Sequence, residues 1–219
     1  MLTVYVPAGG ARLAGELTIP PGADGLVVFA HGSGSSRFSR RNQFVARVLE
    51  RHRFATFLID LLTPDEEGLD QKTAHLRFDI PMLATRLVAI VDWLKQRDDT
   101  AALPIGLFGA STGGGAALRA AASKPDDIFA VVSRGGRPDL AGGVLPDVKA
   151  PTLLIVGGED RPVIAMNRDA MPRMRGQVAI EIIPGATHLF EEPGALEKVA
   201  DLASDWFERF CNAFRGRPR

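Results

Sequence analysis

Residues 105–113 read Ile105-Gly106-Leu107-Phe108-Gly109-Ala110-Ser111-Thr112-Gly113, and they run directly into the small-residue stretch GGAALRAAAS. A short apolar run, a glycine-flanked serine and a helix-forming stretch in immediate succession describe a strand, a tight turn and a helix. The pattern G-x-S-x-G is common by chance, but much more specific in this setting. The reversal is so sharp that the serine is forced into a strained backbone conformation. Only glycine at 109 and 113 leaves room for strand and helix to pass. The hydroxyl then stands clear of the sheet edge, at the positive end of the helix. An N-cap serine on a glycine-rich helix is the plain alternative, but capping does not require glycine on both sides.

Working outward, the same strand–helix rhythm fills the chain. Val4–Pro7 and Arg12–Ile19 read as strands joined at Gly9-Gly10. Gly25–Ala30 (GLVVFA) and Phe54–Ile59 (FATFLI) are wholly apolar, as strands buried on both faces are. Ile128–Val132, Thr152–Val156 and Ala179–Ile183 complete the set. Helical spacing links Phe44, Val45, Val48 and Leu49. It links Ile80, Leu83, Leu87, Ile90, Val91 and Leu94 behind an Asp79 cap and Pro81. It recurs from Val163 to Met174, and in a last helix through Leu196, Val199, Trp206, Phe207, Phe210 and Phe214. The alternation predicts an α/β fold with a mostly parallel central sheet, helices on both faces and no large cap domain. One domain over 1–219 is expected, with 214–219 a frayed basic tail. Leu61–Phe78 is the longest stretch without clear periodicity and is expected to be a loop, of the kind that often covers a site, with room for a short helix.

Composition excludes several classes. The 26 Lys+Arg balance the 26 Asp+Glu, so no global basic field favours nucleic acid or an anionic membrane. No apolar run is long enough for a membrane-spanning helix, and residues 1–20 lack the pattern of a signal peptide, so a cytoplasmic protein is expected. The single Cys211 has no partner for an internal disulfide and falls among core residues of the last helix, as an inert thiol. No metal site and no cofactor are expected.

Three further segments carry chemistry. His31-Gly32-Ser33-Gly34-Ser35-Ser36 follows the strand GLVVFA. Its glycines let backbone N–H groups turn inward, and one of them, with the N–H of Thr112, suits a developing oxyanion. Ser33 is the expected donor and Gly34 the fallback. His31 itself is expected to brace the loop. Of the four histidines, His52 sits at a helix end and His75 in the long loop. His188, in Gly185-Ala186-Thr187-His188-Leu189-Phe190, follows the last strand and reaches the sheet edge where Ser111 emerges. It is the expected base. Asp160, in Gly158-Glu159-Asp160-Arg161-Pro162-Val163, is the expected acid orienting that imidazole, with Glu159 as competitor.

GASTG and HGSGSS, each after a strand, together with GGEDRPV and GATHLF, resemble the α/β-hydrolase superfamily over nearly the whole chain. The small size without a cap insertion looks most like its dienelactone-hydrolase-like branch. The resemblance implies a Ser111–His188–Asp160 triad, an oxyanion hole at Ser33 and Thr112, and an acyl-enzyme mechanism on a small-molecule ester without cofactor. Dienelactone hydrolases proper carry cysteine as nucleophile. Ser111 stands here, so a carboxylesterase is the expectation. Acyl transfer or perhydrolysis on the same triad is the alternative, and a non-catalytic binding module on this fold is a third. For the substrate, Arg134, Arg137 and His75 are candidates to contact an anionic group. The plain alternative pairs the two arginines with acids such as Asp139 or the 65–67 run.

Overall fold

The computed structural model describes residues 2–216. Eight strands form one sheet: β1 (Leu2–Ala8), β2 (Ala11–Thr18), β3 (Gly25–Ala30), β4 (Phe54–Ile59), β5 (Ile105–Ala110), β6 (Ile128–Arg134), β7 (Thr152–Gly157) and β8 (Val178–Ile183). Their spatial order is β1-β2-β4-β3-β5-β6-β7-β8. β3 to β8 run parallel, and the β1–β2 hairpin adds antiparallel at the β4 edge. Gly9 and Gly10 both take positive φ, as a two-residue hairpin turn between right-twisted strands requires.

Six helices cover the sheet: α1 (Arg40–Arg51), α2 (Pro64–Thr73), α3 (Ile80–Lys95), α4 (Thr112–Ser123), α5 (Arg161–Ala170) and α6 (Ala195–Arg215). The apolar strands feed both faces by simple alternation. In β3, Leu26, Val28 and Ala30 join a core with Leu83, Leu87 and Leu94 of α3 and Leu118 of α4. Val27 and Phe29 point the other way, to Val45 and Leu49 of α1 and Phe207 of α6. The fold is therefore the expected single-domain α/β-hydrolase type, with a mostly parallel sheet between two helical layers.

Two expectations need correction. Leu61–Phe78 is largely helical: α2 fills most of it and a 3₁₀ turn, Leu76–Phe78, follows. α2 lacks an apolar stripe, so periodicity does not show it. What starts it is chemistry at its end. Thr63 Oγ1 accepts from Glu66 N–H at 3.3 Å, Glu66 Oε2 accepts from Thr63 N–H at 2.8 Å, and Pro64 opens the first turn. Glu66 also pairs with the buried Arg86, so part of the acidic run is an anchor. At the other end, α6 includes Phe214 and Arg215 where fraying was expected, and Arg215 pairs with Asp24 at 2.7 Å. The rest of the expected tail, 217–219, lies outside the described residues. Cys211 is buried, donates to Asp24 O, and burial pushes its thiol pKa up to about 11. No helix among the described residues is long and apolar enough to cross a membrane.

Topology places the site. β3 leads to β4 on one side, and β5 then lies on the other side of β3. The connections diverge there, opening a crevice at the carboxyl ends of β3 and β5. The His31–Ser36 loop leaves β3 at that crevice and Ser111 leaves β5 beside it.

Candidate active site

Ser111 has φ 50° and ψ −120°, a conformation that costs a non-glycine residue on the order of 1–3 kcal/mol. The surroundings hold it there. Its N–H donates to Arg134 O at 3.2 Å, and its carbonyl accepts from Gly114 N–H at 3.0 Å and Arg137 N–H at 3.1 Å. The flanking glycines are sterically required. A Cβ at 109 would lie 2.5 Å from Gly113 O, and one at 113 would lie 2.2 Å from Ala30 O. As first residue of α4, Thr112 has an N–H with no intrahelical acceptor.

The β3 loop lies against this turn. Ser35 N–H closes it onto Gly32 O at 3.2 Å, which leaves the Ser33 and Gly34 N–H groups unused by the turn. Ser33 Oγ meets Thr112 Oγ1 at 3.1 Å and ties the loop to the start of α4. Gly34, at φ 64°, lies farther round the loop. His31 is buried and uses both ring nitrogens: Nδ1–H donates to Gly32 O at 3.0 Å and Nε2 accepts from Leu61 N–H at 3.0 Å. Burial lowers its pKa, with the Gly32 bond and the Asp60 and Glu67 charges opposing. It is the expected brace, held neutral.

The imidazole comes from the other side. His188 Nδ1 donates to Asp160 Oδ2 at 2.6 Å, which assigns the tautomer and leaves Nε2 free to accept. Asp160 is only 12% exposed at its side chain, and the competing Glu159 points into solvent. Glu159 N–H donates to Ala186 O at 3.0 Å, stitching the acid's loop to the histidine's. Phe190, at φ 55° and buried, anchors the far end of the histidine loop. His188 and Ser111 share the wall of a cavity of about 170 Å³ with Gly32, Ser33, Ser35, Arg41, Ala110, Arg134 and Leu189. No hydrogen bond joins Ser111 Oγ to His188 in this structure. Among the described residues, no group of three or more His, Cys, Asp or Glu could hold a metal ion. A larger cavity, about 680 Å³, lies elsewhere, between Lys95, Pro104, Asp127 and Phe214 near the amino ends of β5 and β6.

The candidate substrate contacts separate. Arg137 forks onto Asp139, Nε to Oδ1 at 2.9 Å and Nη2 to Oδ2 at 2.7 Å, and lies outside the cavity wall. His75 is exposed at the end of α2, also outside it. Arg137 is tied up by the nearest acid, and the helix that replaces the loop turns His75 outward. Arg134 does line the cavity and pairs with no acid among the described residues. Arg41 lines it too and was missed. A signal existed. A helix that follows a parallel strand starts at the carboxyl edge, so the Arg40-Arg41 pair opening α1 was bound to face the crevice.

The model of the dienelactone hydrolase family matches residues 14–217. The chain belongs to the dienelactone hydrolase family. A dienelactone hydrolase family member of known structure, a dienelactone hydrolase from Anabaena variabilis, is 61% identical, superposes with a TM-score of 0.93, and the match covers 95% of this chain and 97% of that one. Est1E from Butyrivibrio proteoclasticus shares the fold at a TM-score of 0.80 with 18% identity, over 96% of this chain and 99% of its own. Two Mycobacterium tuberculosis proteins, from strains CDC 1551 and H37Rv, are each 57% identical over 204 residues and carry the name "Putative phosphoribosyl transferase". That match takes in 93% of this chain and 45% of each of them, so the chain spans under half the length of these relatives.

Proposed function

We infer that this hydrolase cleaves a small ester through an acyl-enzyme, with Ser111 as nucleophile, His188 as base and Asp160 as the acid that orients it. The observation that carries the reading is the Asp160–His188 bond of 2.6 Å facing a cavity it shares with a strained, glycine-flanked Ser111. Nδ1 is occupied by the carboxylate, so Nε2 is the nitrogen left to take the hydroxyl proton. Ser111 and His188 line the same cavity, and such bonds are often long before substrate binds. Ser111 Oγ then attacks the carbonyl, and the negative charge develops where the Ser33 and Thr112 N–H groups converge, at the amino end of α4. Collapse of the tetrahedral species returns the proton from His188 to the leaving oxygen. Water, activated by the same imidazole, releases the acid and restores Ser111. The side-chain contact between the Ser33 and Thr112 hydroxyls supports this division of labour by holding the β3 loop against the start of α4.

The phosphoribosyl transfer named for the mycobacterial relatives is said of proteins more than twice as long as the segment matched here. A hydroxyl and an imidazole on one cavity wall, with a carboxylate bonded to the far nitrogen of the imidazole, support acyl chemistry on this segment. The test is a fluorophosphonate probe, which phosphonylates an activated serine. Labelling of the parent chain, lost in Ser111→Ala and in His188→Ala, supports the assignment. Undiminished labelling of Ser111→Ala refutes it.

A further inference from the structure

One short segment grips Ser111 from both sides. Its N–H donates to Arg134 O at 3.2 Å, and its carbonyl accepts from Arg137 N–H at 3.1 Å. Between those two contacts, Gly135 lies beside the imidazole: a Cβ there would sit 3.4 Å from His188 Cε1. The segment also lies hard against α4. A Cβ at 114 would fall 3.0 Å from Gly136 Cα, and one at 115 would fall 2.9 Å from Arg137 O. The two glycines past the G-x-S-x-G pattern are thus explained by the close passage of residues 136 and 137.

Two peptide groups make the grip. In a planar trans peptide the C=O and the N–H point to opposite sides, so fixing one end aims the other. The first group carries Arg134 O and Gly135 N–H. Its N–H donates to Ile155 O of β7 at 2.7 Å, and its oxygen receives the Ser111 N–H. The second carries Gly136 O and Arg137 N–H. Here the backing comes from a side chain: Asn167 Nδ2 donates to Gly136 O at 2.9 Å, and the Arg137 N–H meets Ser111 O.

Asn167 lies in α5, two turns on from Asp160, which is the N-cap of that helix, and it is 0% exposed. Nδ2 also donates to Val163 O at 2.8 Å. Both partners are carbonyl oxygens, so only the NH₂ end of the amide can face them, which settles its orientation. Oδ1 is left buried without a donor. An amide with one end unmatched is a poor source of stability in a core, where an apolar side chain of similar size carries no such penalty. What Asn167 supplies is a donor aimed at one peptide.

We propose that Asn167 is a positioning residue for the nucleophile. It pins the 136–137 peptide, that peptide holds the Ser111 carbonyl, and the strained turn is thereby set against His188. One rigid helix then registers both halves of the site, with Asp160 at its start holding the imidazole and Asn167 farther along holding the serine turn. The role rests on the hydrolase reading above, and the experiment separates the two.

Asn167→Ala and Asn167→Ser are compared with the parent. The serine leaves the smaller void, and its hydroxyl should turn back to Val163 O, as serines inside helices do, leaving Gly136 O bare. Each variant should react with a fluorophosphonate roughly 10–10²-fold more slowly, the loss that a displacement near 1 Å brings, yet reach the parent's final extent of labelling. Amide exchange followed by NMR should show the Arg137 N–H exchanging roughly tenfold faster or more, while the Gly135 N–H, backed by β7, stays as protected as in the parent. Labelling at the parent's rate in either folded variant overturns the proposal. So does a reduced final extent at an unchanged rate, or a loss of protection spread evenly over β6 and β7, since those are the marks of a purely structural residue. Slower labelling with Arg137 exchange unmoved overturns the route through the peptide. Should neither variant fold, the parent decides, because an Arg137 amide exchanging as freely as an exposed loop removes the pin. If the fluorophosphonate labels no form of the chain, the hydrolase reading is what fails, and the Arg137 exchange still judges the pin by the same outcomes.

Discussion

Gly113→Ala puts the packing at the turn to a direct test. Residue 113 lies inside α4, where alanine is ordinarily better than glycine by about 1 kcal/mol. Propensity alone therefore predicts stabilisation. Here the added Cβ falls 2.2 Å from Ala30 O and 2.6 Å from His31 O, about 1.2 Å short of ordinary contact at its closest. Both obstacles are backbone of β3 and its exit, so no side chain can swing aside. Overpacking of this kind costs roughly 1–3 kcal/mol and more where backbone must move, so a net loss of about 2 kcal/mol is expected. For a chain of this length that is a fall in Tm of roughly 4–8 °C. The matched control is Gly68→Ala in α2, where a Cβ meets nothing within 4 Å and φ is ordinary. It should gain roughly 0.4–1 kcal/mol. Urea denaturation followed by far-UV circular dichroism measures both. Ala30 and His31 lead straight into the Ser33 loop, so a shift near 1 Å should also lower ester turnover about 10²-fold. If Gly113→Ala is as stable as the parent, the close passage of β3 and α4 is wrong as described.

Three other expectations follow from single contacts. Asp160→Asn replaces the carboxylate with an amide whose N–H can hold His188 in the wrong tautomer, and should lower kcat for an ester roughly 10³–10⁴-fold while labelling by a fluorophosphonate slows in step; a loss under tenfold would show that Asp160 does not orient the base. Thr63→Ala deletes the capping box of α2 and should cost about 1 kcal/mol in urea unfolding, leaving Glu66 with Arg86 alone. His31 is held neutral in the folded chain, so below its unfolded pKa of about 6.5 unfolding takes up a proton that the native state refuses. Its contribution is complete above that pH and is lost as pH falls beneath it, by up to about 1.4 kcal/mol per unit. The depressed carboxylate of Glu66 enters only in stronger acid, below about pH 4.3. Unfolding midpoints between pH 5 and 7.5 should flatten in His31→Asn, and parallel slopes in the two proteins would remove His31 from the account.

Strands were legible to within two or three residues because both signals that mark them, apolar runs and glycine or proline boundaries, are local. β3 and β4 match their expected limits and are buried throughout. α2 was not legible. It buries little of itself, and helical periodicity measures burial; the threonine–glutamate spacing at 63 and 66 was the readable sign. That Ser111 and His188 share a cavity wall, with Asp160 bonded behind His188, follows from chain order at the carboxyl edge, so this placement could be expected before any coordinates. The fates of Arg134 and Arg137 could not. They sit three residues apart in one segment, and a local reading treats them alike. Strand register decides between them: Arg134 is the last paired residue of β6, turned into the crevice, whereas Arg137 is past the strand and within reach of Asp139.

Of the four non-glycine residues that hold a positive φ among the described residues, Arg53 and Ala74 follow helices α1 and α2, whereas Ser111 and Phe190 gather at one place with Arg134. Ser111 occupies a backbone region that costs a side chain energy, Phe190 holds a positive φ while buried, and Arg134 keeps a charge without a counter-ion. Each alone would drift to a cheaper arrangement. They persist because β5 and β6 are buried throughout and the two apolar clusters lock the sheet from both sides, so the strain at the strand ends has nowhere to relax. All three lie on or beside a single cavity: Ser111 and Arg134 in its wall, Phe190 two residues past His188 and 5.9 Å beneath the Arg134 guanidinium. The larger cavity at the opposite rim shows no such convergence, since its lysine is paired with Asp127. This gathering of costly features, rather than volume, is what singles out the smaller cavity as the candidate site.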